Sequence, residues 1–323
     1  MLMGTNKRAV IIGGGTGLST LIRGLKQYPL DLTAIVTVAD DGGSSGRLRD
    51  DYDIPPPGDV RNVIAAMSEV EPLVEEMFQY RFKGKEALKG HSLGNLMLTA
   101  LTEITGDFSH AIRELSRVLN VHGRVIPVVN ESMTLLAEFT DGSIIEGESI
   151  IPKQHKKIKQ VFLKQENLRP LPDAIEAIEE ADLIIVGPGS LYTSIIPNFL
   201  VKEIRDAVIA ASGRKVYICN LMTQDGETSY YTAADHVQAI YDHVGTAFIE
   251  TILLNNHSEV PDDIEENYKE ERAEPVVFDI ERLEGLGLEV IQADIATVKN
   301  GTVRHKAIRV AEWLYNYTNE KRM

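Results

Sequence analysis

The segment Ala9-Val-Ile-Ile-Gly13-Gly-Gly-Thr-Gly17-Leu18 decides how this 323-residue chain is read. Four apolar residues in a row form a strand buried on both faces, and the glycines after them form a tight turn into a helix. The helix is predicted over Leu18 to Tyr28, and a second strand runs from Leu32 to Val38. That is one βαβ unit. Its turn is where a phosphate would sit, because glycine lets backbone N–H groups approach a ligand and a helix N-terminus favours an anion. The spacing is G-x-G-x-G: a dinucleotide fingerprint would carry a later glycine where Leu18 and Ser19 stand, and no lysine follows as a P-loop requires. Neither a plain NAD site nor an ATPase is indicated.

The same rhythm recurs outward from this unit. Helical periodicity dominates 59–120, with helices predicted at 59–70, 72–82, 92–105 and 108–119. Arg124 to Val129 reads as a strand, and 134–148 as a hairpin turned by Asp141-Gly142 in a type I′ turn. Parallel units resume with Leu183 to Val186, a helix over Phe199 to Ser212, Val216 to Leu221, a helix at 232–243, and Ala247 to Leu254. Eight acids between Glu259 and Glu274, against Lys269 and Arg272, mark a solvated acidic loop suited to a lid. A strand over Leu288 to Ile295, a turn at Asn300-Gly301 and a helix over Lys306 to Tyr317 close the chain. The expected fold is a single α/β domain over 1–323, a mainly parallel doubly wound sheet with a helical insertion and an antiparallel hairpin.

Composition narrows the function. With 43% apolar and 25% charged residues the chain is globular, and 33 basic against 48 acidic residues give a net charge of −15. No nucleic acid or anionic membrane is expected as the main partner. The single cysteine, Cys219, permits no internal disulfide and no thiol metal cluster, which fits a reducing cytosol. No run approaches a membrane span, so a cytoplasmic protein and not an integral membrane protein is expected.

Polar residues cluster where the strands end. Asp40-Asp-Gly-Gly-Ser44-Ser45-Gly-Arg47-Leu-Arg49 follows the second strand. Asp40 or Asp41 could accept from a ribose hydroxyl or, with a phosphate, hold Mg²⁺ through hard oxygens. Arg47 and Arg49 could clamp phosphate oxygens. Pro57-Gly58-Asp59-Val-Arg61-Asn62 opens a helix with Gly58 or Asp59 as its cap, and a bound anion would relieve the conflict between Arg61 and the helix dipole. In His91-Ser92-Leu-Gly-Asn95, Ser92 is a cap, and His91 and Asn95 are brought near one another for a structural, ligand or catalytic role. Gly187-Pro-Gly189-Ser190 follows an apolar strand just as the first glycine turn does, and two such loops at a switch point would suit a diphosphate. Asn220 lies in the polar tail of the next strand, with Cys219 as buried packing. A base could stack on Tyr268 while Arg304 meets phosphate.

Taken together, Gly13-Gly14-Gly15-Thr16-Gly17, Asp40 to Gly46, Pro57 to Asn62, His91 to Asn95 and Gly187 to Ser190 resemble the CofD-like superfamily. With Thr193-Ser-Ile-Ile-Pro197 and Cys219-Asn-Leu-Met-Thr-Gln224 the chain looks more closely like its YvcK-type gluconeogenesis factors, over residues 7–318. The resemblance implies a Rossmann-like three-layer α/β/α fold. For the CofD relatives it implies transfer of a phospholactyl group from a nucleotide diphosphate donor to a deazaflavin. For the YvcK-type branch it implies a role in growth on gluconeogenic carbon, in cell shape and peptidoglycan precursor supply, with binding of UDP-N-acetylhexosamine. Tyr268 and Arg304 would then be UDP-sugar contacts. The expectation is a cytosolic nucleotide-sugar-binding regulatory factor, homo-oligomeric and open to protein partners, with a CofD-type transferase as the alternative.

Overall fold

The computed structural model describes residues 6–70, 72–85, 87–256, 268, 271–299 and 301–320. The opening strand β1 (Lys7–Gly13) has Ala9 to Gly13 buried, as a strand covered by helices on both faces requires. Helix α1 (Gly15–Leu25) buries Leu18, Leu21, Ile22 and Leu25, the i, i+3, i+4, i+7 stripe of a core-facing helix. It begins three residues before the predicted Leu18, because the glycine turn is itself the first helical turn. Next come β2 (Leu30–Val36), α2 (Gly43–Tyr52), α3 (Gly58–Met67), α4 (Pro72–Gln79), α5 (Leu93–Thr105), α6 (Phe108–Val118) and β3 (Arg124–Pro127). Of these, only α2 lacks a counterpart among the predicted elements. Its Gly-Ser-Ser-Gly start has low intrinsic helicity, and burial of Ser44, Ser45, Gly46 and Leu48 holds it.

A small antiparallel sheet follows, β4 (Leu135–Phe139), β5 (Ile144–Glu146) and β6 (Ile158–Leu163), in the order β5-β4-β6. The predicted hairpin is its first two strands. Its turn is not type I′: Gly142 has φ +82° but Asp141 is not at positive φ, and Phe139 N bonds to Ser143 O to close a longer loop. The Asp141 carboxylate accepts from Ser143 N at 2.9 Å, which explains the residue without the mirror-image turn. The third strand was not anticipated, because Lys156, Lys157, Lys159 and Gln160 obscure its alternation.

The parallel half resumes with α7 (Pro172–Glu179), β7 (Leu183–Val186), a π-helical turn Leu191–Ile195, α8 (Ile196–Phe199), α9 (Lys202–Ala210), β8 (Arg214–Ile218), α10 (Ala233–Val244) and β9 (Thr251–Asn255). A short helix (Ile280–Gly285), β10 (Glu289–Ala293), the antiparallel pair β11 (Ala296–Lys299) and β12 (Thr302–His305), and a C-terminal helix (Ala307–Asn319) complete it. Most of the predicted acidic loop 259–274 lies outside the described residues.

Seven strands form one parallel sheet in the order β10-β9-β8-β7-β1-β2-β3, flanked by helices in three layers. The chain starts at β1, works outward to β3, then returns to the other side of β1 through β7. The switch point therefore lies between β1 and β7, and the crevice outside their carboxyl ends is where such sheets take ligands. Among the described residues no helix is long and apolar enough to cross a membrane.

Candidate functional site

The turns after β1 and β7 meet. A methyl group at Gly17 would lie 2.8 Å from the Pro188 carbonyl oxygen, and one at Gly189 would lie 3.2 Å from Gly14 O. Gly15, Thr16 and Gly17 share a cavity of about 520 Å³ with Gly189 and Ser190, and its lining also includes Asn220, Tyr268 and Arg304. Helix α1 has glycine at its N-cap and no side-chain cap, so the first-turn N–H groups are not consumed by their own helix. Gly15 N donates to Asp59 Oδ2 at 2.8 Å. For the N–H groups of Thr16, Gly17, Gly189 and Ser190 no acceptor is found among the described residues. Gly13, Gly14 and Gly187 stand behind this surface: Gly13 O accepts from Thr37 N and Gly187 N donates to Ile12 O, each at 3.0 Å.

Asp59 is not the cap of α3. Pro57 occupies the N-cap position, and the Asp59 carboxylate reaches across to the first glycine turn instead. Burial pushes its pKa up to about 7, with the neighbouring Asp40 adding to the rise and the Gly15 N–H and Arg61 opposing it. Asp40 packs on Gly58, where a methyl group would be 2.6 Å from its Oδ2. Glu148, in the same acidic group, is pushed up to about 9 by burial and then by Asp40, Asp59, Glu227 and Asp41. Asp40 Oδ1 accepts from Gly42 N at 2.9 Å, and Asp41 Oδ1 from Ser149 N at 2.8 Å. Among the described residues no group of three or more His, Cys, Asp or Glu side chains is placed to hold a metal ion. The expected Mg²⁺ therefore has no protein-only cage in Asp40 and Asp41.

A buried polar network extends away from the cavity. Ser44 Oγ lies 2.9 Å from His91 Nδ1 and accepts from Asn95 Nδ2 at 3.0 Å. Ser92 caps α5 by accepting from Asn95 N at 3.2 Å. The spacing of His91 and Asn95 thus does bring them together, through Ser44 rather than directly. Arg61, 3% exposed, donates through Nε to Asn95 Oδ1 at 3.0 Å and through Nη1 to Gln79. Its conflict with the helix dipole is relieved by two amide oxygens, with no anion required. Arg47 donates to the Lys89 carbonyl at 2.7 Å and Arg49 to that of Met133 at 3.4 Å, and neither lines the cavity of the glycine turns. Ser45 packs beside Gly58, and Asn62 is half-buried in the first turn of α3.

Residues that sequence reading passed over complete the site. Glu227, 5% exposed, accepts from Tyr192 N at 3.1 Å and Thr193 Oγ1 at 3.0 Å, and so holds the π-helical turn behind Ser190. Burial pushes its carboxyl up to about 7 against those hydrogen bonds. Gln224 Nε2 donates to Ser190 Oγ at 2.9 Å, while its buried Oε1 has no partner among the described residues. His305 Nε2 lies 3.1 Å from the Cys219 carbonyl, and burial pushes its pKa down to about 4. Glu227 and Gln224 sit in the polar tail after β8, the one available signal; Glu148 and His305 had none. Tyr268 is 7% exposed, and its hydroxyl accepts from Val303 N at 2.7 Å, tying it to β12 beside Arg304.

The comparisons agree with this architecture. A family model described as 2-phospho-L-lactate transferase CofD matches residues 9–296. A protein of Bacillus subtilis (strain 168) named "Gluconeogenesis factor" is 58% identical over 318 residues, covering 98% of this chain and 100% of the relative. A Listeria monocytogenes protein of the same name is 48% identical over 98% of both chains. An X-ray crystal structure of a Bacillus halodurans protein superposes with a TM-score of 0.94 at 53% identity, covering 96% of this chain and 99% of that one. Matched along nearly its whole length, the chain belongs to the CofD family, in the branch whose curated relatives are named gluconeogenesis factors.

Proposed function

We propose that this protein is a nucleotide-sugar-binding regulatory factor of gluconeogenic growth, with UDP-N-acetylhexosamine as its ligand and cell-shape and peptidoglycan precursor control as its output. One observation carries the ligand class: two glycine turns bring unpaired N–H groups to a single cavity at the switch point. Two linked phosphoryl groups suit that pair of turns. The cavity, about 520 Å³, falls in the range of small-molecule sites. Tyr268 lines the cavity, Arg304 adds an exposed cation, and Gln224 Oε1 is an acceptor that a ligand donor would satisfy.

A thermal-shift panel of UDP-N-acetylglucosamine, UDP-N-acetylgalactosamine, GDP derivatives, NAD and a deazaflavin, with and without Mg²⁺, tests this. Saturation at 100 times Kd stabilises the native state by about 2.7 kcal/mol. The expected outcome is that UDP-sugars alone stabilise the chain, without turnover, and that Arg304→Ala weakens the response about ten-fold through loss of a charge-assisted contact. No response to any UDP-sugar would overturn the reading.

The acidic group favours one second reading, a CofD-type transferase. A carboxyl held at about 7, as Asp59 is, can both hold and release a proton near neutral pH. Turnover of a nucleotide diphospho-lactate onto a deazaflavin, lost in Asp40→Ala and Asp41→Ala, would establish it.

A further inference from the structure

A second cavity, of about 560 Å³, opens at the free edge of the sheet and shares no lining residue with the glycine-turn cavity. One wall is a polar stripe of α6 and the residues just after it. Ser109, Arg113, Ser116, Arg117 and Asn120 follow one another at i, i+4, i+7, i+8 and i+11, beside the buried apolar face of Phe108, Ala111, Ile112 and Leu115. The other wall begins with Arg124 at the amino end of β3, whereas the glycine turns lie at the carboxyl ends of β1 and β7. Three exposed arginines thus line one space, and Asp173 is the one acidic residue among its described lining.

Two of those arginines are held in place yet uncommitted. Arg113 Nη1 donates to Ser109 Oγ at 2.9 Å, and Arg124 Nε donates to Thr33 Oγ1 at 3.2 Å; both hydroxyl-bearing residues are buried. Neither guanidinium has a carboxylate partner among the described residues, whereas Arg117 is paired with Glu114 at 3.0 Å. Ser116 Oγ is buried and unpartnered among the same residues. In a chain of net charge −15, these two arginines are anchored by neutral hydroxyls rather than by acids. Bringing like charges to one cavity costs energy that a bound anion offsets, and the planar fork of arginine fits phosphate or carboxylate oxygens two at a time. An added β-strand is the wrong occupant. Val128 N already bonds inward to Val36 O, and Pro127 has no N–H to offer outward. Side chains rather than a backbone ladder must hold what enters.

We propose that this edge cavity is a second binding site, for a small polyanion carrying at least two phosphate or carboxylate groups, gripped by Arg113 and Arg124 with Ser116 as a further hydrogen-bond partner. It is separate from the nucleotide-sugar site and stands whether or not that site takes UDP-sugars.

The test is hydrogen exchange on the full chain at constant ionic strength, with inorganic pyrophosphate and citrate as separate probes. Their arms distinguish phosphate from carboxylate chemistry. Added protection over 108–126 by at least one probe is the expected result, with changes over 13–17 and 187–190 reporting the other cavity independently. Reversing both charges, with Arg113→Glu and Arg124→Glu, is expected to abolish protection at 108–126 and leave any response at the glycine turns in place. The Arg113→Lys, Arg124→Lys variant keeps the charge and loses the fork, so about ten-fold weaker binding is expected. Protection by neither probe, protection unchanged by charge reversal, or a lysine variant that binds as well as the parent would each overturn the site.

Discussion

The two glycine turns line one cavity, yet they are held differently. Each is braced by a carboxylate whose pKa is about 7. Asp59 braces the first turn from a neighbouring helix through a single bond to Gly15 N, next to Asp40 and within reach of Glu148. Glu227 braces the second through two bonds, to Tyr192 N and Thr193 Oγ1, and the rise in its pKa has burial as its only cause. The brace of the first turn has its own pKa raised by a neighbouring acid, Asp40, whereas that of the second is raised by burial alone, although Glu148 feels both. A brace that shares its field with other acids can respond to ligand charge. One held by hydroxyl and amide donors, with no acid raising its own pKa, fixes geometry.

The sharpest attempt to break this contrast is Glu227→Ala. It strips two hydrogen bonds and leaves a buried amide N–H unsatisfied, so a loss of about 3 kcal/mol in urea unfolding is expected. A loss below about 0.5 kcal/mol would show that the turn stands without its brace. Gly17→Ala attacks the contact between the turns, because its methyl would lie 2.8 Å from Pro188 O. About 2 kcal/mol of destabilisation and loss of the UDP-sugar thermal shift are expected. A variant with normal stability and ligand response would mean that the turns can separate freely.

Asp59→Asn sharpens the comparison through pH. In the folded state Asp59 titrates at about 7 rather than 3.8, so between these values the native state holds a proton that the unfolded chain has released. Stability from this group is therefore largest at low pH and is lost as pH rises through that window, at up to about 1.4 kcal/mol per pH unit. The asparagine variant keeps an acceptor for Gly15 N and removes the titration. Its stability should fall less steeply with rising pH than that of the parent, and identical slopes in paired urea titrations would refute the assignment. The smallest effect belongs to Arg304→Ala. The side chain is exposed, so stability should stay within about 0.5 kcal/mol while ligand response drops. A large fall in melting temperature without ligand would place Arg304 in the packing instead.

The fold was legible where burial is two-sided. Ala9 to Ile12 and Leu183 to Val186 are apolar without interruption because helices cover both their faces, and the switch point followed from the glycines after them. Legibility ended where a residue's partner is distant in sequence. Asp59 looked like a cap for its own helix, and its actual acceptor role lies 44 residues away at Gly15. Arg61 looked like an anion ligand, and Asn95 and Gln79 satisfy it. Helix α2 was hidden by small residues whose helicity comes from packing rather than propensity, and β6 by its lysines.

Helix α1 rests on the C-terminal helix so closely that a methyl group at Gly24 would lie 2.3 Å from the Ala307 carbonyl oxygen. Helix α1, which opens at the first glycine turn, thus rests on a helix far along the chain, and Arg304 and His305 precede that helix directly. During translation the amino-terminal βαβ unit emerges early but has no floor for its first helix until residues 307–319 have left the ribosome. The lining of the glycine-turn cavity, which takes in Gly15 to Gly17 and Thr302 to His305, is consequently assembled only once both ends of that packing are in place.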